Sequence, residues 1–452
     1  MHSEPRESFH AAVLAVASLA VAALAFVLMT KEALAIPSFA RQTGMKCAAC
    51  HTIYPEINAF GRQFKLRGFT LGTALDDKKF PLELPVAAVV VPSVNSTRSR
   101  ENVEPEEIER DGKLSLQMAG IYYGGRIAGK LGALAQYNYD GIERKWGVEM
   151  IDVRYADSTT VPGNRELVWG ITLNNNPTLA DIYNSTPMWS FPHLTTEKTI
   201  MPAASLLDMT LFRQVGGVGL YGFWNNLVYG EMALYRTTKS GIMRPLGAGA
   251  ERETIVDNYA PYWRLAIERT WERHTLAVGT LGLAARVFPD DDSHDGPTDR
   301  FRDFGVDAQY HFDTGDHLVS AHAISIREKQ KWDASFPAGM ASVASTRLST
   351  ARADVHYVYK RRYGFGIQRF STRGDEDQLR YNMGEPVMSS VAGKPDTRGW
   401  QLELFYLPVE WAKLGVRYTA YQQFNGGKRD YDGFGRSAKD NNTIYAYAWI
   451  LF

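Results

Sequence analysis

Cysteine is nearly missing from this chain of 452 residues, which contains only two, at positions 47 and 50. A framework of several disulfides is therefore excluded. Net charge is missing as well, because 50 basic residues balance 50 acidic ones, so no polyanion-binding surface and no nucleic-acid partner are expected. After residue 35 no apolar run is long enough for a transmembrane helix, and the mean hydropathy is −0.27.

Residues 1–35 have the pattern of a secretory signal peptide. A long apolar stretch, AAVLAVASLAVAALAFVLM, is followed by an A-x-A box that ends at Ala35, which predicts cleavage after that residue. The apolar stretch is close to the ~20 residues that span a bilayer, so an uncleaved anchor helix is the alternative. Under either interpretation the rest of the chain is exported.

Both cysteines belong to the string CAACH, which is the attachment signature of a c-type haem. Cys47 and Cys50 would form thioethers to the porphyrin vinyl groups, and His51 would be the proximal ligand of the haem iron. A redox dithiol or a single disulfide is the alternative, but no thioredoxin-like βαβ pattern surrounds the string. The sequence therefore predicts one covalently bound haem c in a segment that comprises residues 36–82.

The composition of the remaining chain, residues 83–452, is typical of a transmembrane β-barrel. Aromatic residues make up 12% of the sequence, and glycine is frequent, with 39 residues. Apolar residues alternate with polar ones in several segments, and the predicted outward faces are Leu114, Leu116, Met118 and Tyr122; Trp263, Leu265 and Ile267; Phe304, Val306, Ala308, Tyr310 and Phe312; Ala351, Ala353, Val355 and Tyr357; and Trp400, Leu402, Leu404 and Tyr406. The opposite faces carry charges such as Arg264, Asp307 and Arg352, which suit a wet lumen better than the core of a soluble sandwich.

About sixteen strands are predicted in this all-β domain, and their connections alternate in length. Short ones such as 129–130 and 360–361 read as periplasmic turns, and long ones such as 175–212 and 372–396 read as extracellular loops. The last strand ends at Phe452, which resembles the signal that directs outer-membrane proteins to assembly. We therefore predict a location in the bacterial outer membrane, with its lipid as a partner.

The haem segment has about fifty residues, which are few for a free-standing cytochrome domain. We expect it to lie in the mouth or the lumen of the barrel, where the barrel walls complete the haem pocket. The sixth iron ligand stays open between His311, His356, Met188, Met201 and a five-coordinate iron.

Three stretches carry a resemblance to a known family: FARQTGMKCAACH (39–51), PEINAFGRQFKLRGFTL (55–71) and NNNPTLADIYNSTPMWSFP (174–192). They resemble the fused monohaem cytochrome–porin proteins of iron-oxidising bacteria, over essentially the whole exported chain. The resemblance implies an outer-membrane iron oxidase that takes electrons from extracellular Fe(II) and passes them through its haem to a periplasmic c-type cytochrome. It implies thioether sites at Cys47 and Cys50 and an iron ligand at His51, and it assigns no catalytic residue.

The predicted function is thus oxidation of Fe(II) outside the cell by a barrel that holds its haem near the outside. One alternative is a general electron conduit to another donor or acceptor, such as a mineral, an electrode or another cell. The other is a transport porin with a structural haem. Acidic loops at Glu106–Glu107 and Asp290–Asp292 could bind iron transiently, although solvated loop charge is the simpler interpretation.

Overall fold

Antiparallel β-strands form most of the part of the chain that the structure describes. The structure is a computed structural model, and it describes residues 38–71, 85–98, 112–141, 144–185, 202–237, 254–289 and 295–452. The predicted signal peptide and the predicted boundary at residues 82–83 lie outside these ranges. Within them we number sixteen barrel strands: β1 (Val86–Thr97), β2 (Leu114–Ala128), β3 (Leu131–Asp140), β4 (Lys145–Val161), β5 (Arg165–Asn174), β6 (Gly216–Trp224), β7 (Val228–Arg236), β8 (Ala260–Trp271), β9 (His274–Val287), β10 (Asp299–Asp313), β11 (His317–Lys331), β12 (Ser345–Tyr359), β13 (Tyr363–Gly374), β14 (Thr397–Val409), β15 (Ala412–Gln423) and β16 (Thr443–Leu451).

The sixteen strands close into a barrel. Each pairs with its neighbours in the chain, and β1 pairs with both β2 and β16, so that Val89 lies opposite Gly120 on one side and Leu451 on the other. A two-residue strand, Val256–Asp257, adds to the end of β9. Closure gives every barrel strand two partners, which satisfies the backbone hydrogen bonds where no water is available.

The alternation of side chains along the strands gives the barrel an apolar outside and a polar inside. On β8, Trp263, Leu265 and Ile267 are exposed on the outer face, whereas Arg264 and Glu268 are buried. The predicted outward faces of β10, β12 and β14 are confirmed in the same way. A closed antiparallel barrel with an apolar outer band is the architecture of the bacterial outer membrane, and this is the location of the chain.

One predicted face is wrong over half its length. Leu114 and Leu116 point outward on β2 as expected, but Met118 is buried and Tyr122 lines the inside of the barrel. The cause is a β-bulge, because the pairing of β1 with β2 skips Gln117. One extra residue shifts the side-chain alternation to the opposite face for the rest of the strand.

The two rims of the barrel differ in the length of their connections. At the short-turn rim the connections comprise residues 129–130, 162–164, 225–227, 272–273, 314–316, 360–362 and 410–411. Every connection at the long-loop rim is longer than these; the shortest comprises residues 141–144 and the longest residues 175–215. The first and last strands both reach the short-turn rim, where the N–H of Ala88 donates to the carbonyl oxygen of Phe452. By the usual asymmetry of outer-membrane barrels, the short-turn rim is periplasmic.

The lumen is filled by the chain itself. From the N-terminal side come helix α1 (Ser38–Thr43), the 3₁₀ turn Cys47–Ala49 and helix α2 (Ala59–Leu66). The long connection after β5 folds inward and contributes helix α3 (Pro177–Ala180) and a helical turn at Leu206–Thr210. The segment expected in the mouth or lumen is therefore found there. None of the helices in the described ranges has the length and apolarity needed to cross a membrane.

We expect Leu265→Arg to destabilise the barrel by about 2–4 kcal/mol, because Leu265 lies at the middle of β8 on the lipid-facing side. The measurement is the free energy of refolding into lipid vesicles under reversible conditions. Trp271→Arg, on the same outer face at the end of the strand beside the short turn, is the control and should cost about 0–1 kcal/mol. Equal costs at the two positions would contradict the assigned membrane belt.

Candidate functional site

The CAACH string forms a compact turn that brings its three chemical groups to one cleft. The N–H groups of Cys50 and His51 both donate to the carbonyl oxygen of Cys47, at 3.1 and 3.0 Å. The side chains of Cys47, Cys50 and His51 all line this cleft, and the two thiols are not joined in a disulfide. Burial raises the pKa of both thiols to about 11, and the Glu410 carboxylate adds to the effect at Cys47.

The imidazole of His51 is oriented by the backbone. Its Nδ1 lies 3.0 Å from the carbonyl oxygen of Glu56, which is an acceptor, so Nδ1 carries the proton and Nε2 keeps its lone pair. Burial lowers the pKa of His51, which favours the neutral ring. A neutral imidazole whose second nitrogen is hydrogen-bonded to a carbonyl is the usual form of a metal-ligating histidine.

The cleft itself is lined mainly by apolar and aromatic side chains. Phe39 stacks on Phe69 with ring centroids 5.6 Å apart, and Tyr54 meets Trp449 edge to face at 4.8 Å. These walls suit the flat apolar faces of a porphyrin. Two adjacent thiols, a neutral buried imidazole and an apolar cleft together fit a c-type haem.

Helix α2 is joined directly to the CAACH turn. Asn58 caps the helix by accepting from the Gly61 N–H at 2.9 Å, and its amide donates to the Ala49 carbonyl oxygen at 3.0 Å. Gly61 is required by close approach, since a Cβ there would overlap the carbonyl oxygen of Cys50. The position of the cleft therefore depends on the position of this helix.

A buried ion pair fixes helix α2 to the barrel wall. Arg62 Nε donates to Glu268 Oε2 at 2.6 Å, and the Arg62 side chain is 1% exposed. The guanidinium also donates from Nη1 to the Ile57 carbonyl oxygen at 3.0 Å and lies over the ring of Tyr183. At the end of the helix, the Tyr221 hydroxyl donates to the Leu66 carbonyl oxygen at 2.7 Å.

The inward-folded loop holds the same helix from the other side. Lys65 Nζ donates to the carbonyl oxygens of Leu179 and Asp181, at 2.5 and 3.1 Å. Burial and the neighbouring Arg154 lower the pKa of Lys65 to about 8. The Asp181 carboxylate pairs in turn with Arg264 of β8 at 2.9 Å. The structure describes residues 174–185 of the inward-folded loop, NNNPTLADIYNS, and they connect the N-terminal segment to the barrel wall.

None of the four side chains predicted as a sixth iron ligand is found at the cleft within the described residues. His311 and His356 point into the lumen as predicted, but among the described residues they do not line the cleft that contains His51. Met188 and Met201 lie outside the described residues. The methionines found at the cleft are Met45, Met150 and Met209.

Sequence reasoning missed Met209 and also missed a second polar group. Met209 belongs to the inward-folded loop, and only the three-dimensional path of that loop brings it to the cleft. The second polar group is a buried cluster of four side chains: Glu56, His322, Asp354 and His356. The acidic stretches Glu106–Glu107 and Asp290–Asp292 lie outside the described residues.

The position of the site along the barrel differs from the expectation of a haem near the outside. The N–H of Cys47 donates to Glu410 Oε2 at 3.0 Å, and Glu410 lies in the short turn between β14 and β15. The CAACH turn is therefore at the periplasmic rim. The physical reason is that the segment precedes β1, which begins at that rim.

Comparisons with known proteins describe the barrel only. No protein-family model matches the chain, and no curated protein matches it. Among solved structures, OmpF of Salmonella typhi in complex with daunomycin has a TM-score of 0.45 at 12% identity, over 81% of this chain and 97% of that one. The channel DcaP of Acinetobacter baumannii gives 0.45 at 12%, over 81% and 96%. An anion-selective porin from Comamonas acidovorans gives 0.44 at 9%, over 81% and 98%.

The fold and the lumen together define the class: a porin-like barrel of the outer membrane. Within that class, this chain is a barrel whose lumen contains its own N-terminal segment and a cysteine- and histidine-lined cleft.

We expect Arg62→Ala to destabilise the packing of helix α2 by about 3–5 kcal/mol, because it leaves the Glu268 carboxylate buried without its partner. The measurement is hydrogen exchange of the α2 amides in detergent-solubilised protein, together with thermal unfolding. Arg62→Lys keeps the positive charge opposite Glu268 and should disturb the fold less than Arg62→Ala does.

The matched control is Glu166→Gln, which breaks the partly exposed pair between Arg67 and Glu166 on the same segment. This change should cost no more than about 1 kcal/mol. Unchanged α2 protection in Arg62→Ala would show that the ion pair does not position the helix.

Proposed function

We propose that the protein is an outer-membrane c-type cytochrome–porin that oxidises extracellular Fe(II) and passes the electron to a periplasmic c-type cytochrome. One observation supports it above the others: Cys47, Cys50 and His51 line one apolar cleft inside a membrane barrel. When bound there, a haem c supplies a one-electron couple, so that each Fe(II) oxidised to Fe(III) delivers one electron inward.

The chain's own residues have three tasks in this function. Cys47 and Cys50 hold the group covalently, and His51, oriented by the Glu56 carbonyl oxygen, presents Nε2 to the iron. The aromatic walls around Phe39 and Trp449 exclude water, which contributes to setting the reduction potential. Placement at the periplasmic rim beside Glu410 leaves the cleft next to the side on which a soluble cytochrome would dock.

The filled lumen distinguishes this proposal from a transport porin. Helix α2 and the inward-folded loop occupy the interior, and their charged side chains are paired with those of the wall. A barrel blocked in this way should pass little ionic current in a planar bilayer. An open-channel conductance from the haem-loaded protein would favour transport as the function.

The first experiment mixes haem-loaded, detergent-solubilised protein rapidly with Fe(II) at neutral pH and follows the haem absorption. We expect reduction within seconds, because detergent-solubilised protein exposes both rims of the barrel to Fe(II), and a bound haem c accepts one electron at a time. Reduction by dithionite but not by Fe(II) would remove iron as the substrate and leave the general electron conduit. The double variant Cys47→Ser/Cys50→Ser is the control, and it should lose covalent haem on a denaturing gel.

We propose that the Met209 thioether would be a second protein ligand of a haem bound in the cleft, in addition to His51. Met209 lines the cleft with a backbone φ of 85°, a conformation that is strained for a residue other than glycine and that the surrounding chain has to hold. The preceding turn is held in place by the wall, since the N–H groups of Leu206 and Leu207 donate to Glu328 and Asp303, both at 2.8 Å.

Met209→Leu should lower the haem reduction potential by roughly a tenth of the ~0.8 V range over which axial ligands set it, because a methionine ligand raises the potential. Redox titration measures the change, and the absorption spectrum of the oxidised haem should change with it. Met150→Leu is the matched control at the same cleft and should leave both unchanged. The opposite pattern would assign the ligand to Met150.

A further inference from the structure

A second cluster of ligand-type side chains lies inside the barrel, apart from the residues that line the cleft. Glu56 comes from the haem segment, His322 from β11, and Asp354 and His356 from β12. One potential ligand atom from each residue lies within 4.8 Å of all the others, and all four residues are no more than 6% exposed. The cluster is thus built from three separate parts of the chain.

The spacing of these atoms is close to that of a tetrahedral metal site. His356 Nδ1 lies 3.2 Å from both Glu56 Oε1 and Asp354 Oδ2, and His322 Nδ1 lies 3.0 Å from Asp354 Oδ2. Metal–ligand bonds of ~2.0–2.1 Å in a tetrahedron place neighbouring ligand atoms roughly 3.3–3.4 Å apart. These three distances would need to change by only a few tenths of an ångström, and the remaining pairs lie within 4.8 Å.

Hydrogen bonding leaves part of the cluster unexplained. His356 Nδ1 lies between two carboxylate oxygens, Glu56 Oε1 and Asp354 Oδ2, at 3.2 Å from each, and so cannot be well aligned with both at once. Asp354 Oδ1 is buried and has no hydrogen-bond partner among the described residues. Buried polar atoms are nearly always satisfied, so this oxygen points to a missing ligand.

The surroundings resemble the outer shell of a metal site. Ser320 Oγ and Thr52 Oγ1 donate to Glu56 Oε2, at 2.8 and 3.0 Å, which leaves Glu56 Oε1 directed at His356. The second nitrogen of His322, Nε2, lies 3.2 Å from Ser320 Oγ. Polar partners on the far side of each ligand are what orient ligands in known sites.

We propose that Glu56, His322, Asp354 and His356 bind one divalent transition-metal ion of the Zn²⁺ class through two nitrogen and two oxygen atoms. This donor set suits a borderline ion better than Ca²⁺ or Mg²⁺, which prefer oxygen alone. Two carboxylates neutralise the ion while both imidazoles stay neutral. The ion joins the haem segment, through Glu56, to the barrel wall. This site does not depend on the presence of haem or on iron oxidation.

The competing explanation is a metal-free cluster in which protonated imidazoles balance the two carboxylates. The test uses haem-loaded protein, purified without a polyhistidine tag, stripped with a chelator and dialysed against micromolar Zn²⁺. We expect one zinc per chain by elemental analysis. X-ray absorption at the zinc edge should show nitrogen and oxygen neighbours, including imidazole, and no sulfur.

His356→Ala and Asp354→Asn should each weaken zinc binding by at least about 100-fold, and His317→Ala should not change it. His317 is the matched control because it is an exposed histidine at the short-turn rim, outside the cluster. If a variant fails to fold, the zinc content and the X-ray absorption of the wild-type protein still test the proposal. Folded wild-type protein that binds no zinc, or binds it through sulfur, would overturn the proposal, whatever the outcome of the Fe(II) experiment.

Discussion

The contact between Arg62 and Glu268 is the interaction on which the rest of the interior depends. Both charged groups are shielded from water, and burying either one without its partner would cost several kcal/mol of folding free energy, about 3–5 kcal/mol for a broken buried pair. Arg62 lies on the helix whose cap contacts the CAACH turn, and Glu268 lies on a strand of the wall. One pair of charges therefore sets the depth and rotation of the cleft inside the barrel.

The inward-folded loop extends the same principle to a network. Asp181 pairs with Arg264, while its backbone carbonyl oxygen and that of Leu179 accept from Lys65. Buried charges of this kind contribute less to net stability than to the choice of one arrangement over others, since each alternative would leave a charge unpaired. The loop therefore specifies one position of helix α2 against the wall.

The barrel was readable from the sequence because outward and inward side chains alternate with a period of two, as Leu265 and Arg264 show. The alternation assigns Tyr122 to the wrong face, because a β-bulge at Gln117 shifts the pattern and no residue type in the sequence signals that bulge. The CAACH string is local in sequence, so haem attachment at Cys47 and Cys50 can be predicted without the fold, and it stays a prediction. Two other sites could not be predicted from the sequence. The position of Met209 depends on how a long loop folds back into the barrel, and the cluster around His356 depends on which strands the N-terminal segment contacts.

The closed wall around the N-terminal segment has a consequence for the order of biogenesis. In the finished barrel, Cys47 and Cys50 line a cleft bounded by helix α1, β1 and β16, and every strand of the wall is paired on both sides. An enzyme that joins haem to these thiols needs access to an open chain. In a protein that carries haem as proposed, attachment in the periplasm has to precede closure of the β1–β16 seam, so maturation of the cofactor acts as a checkpoint before membrane insertion.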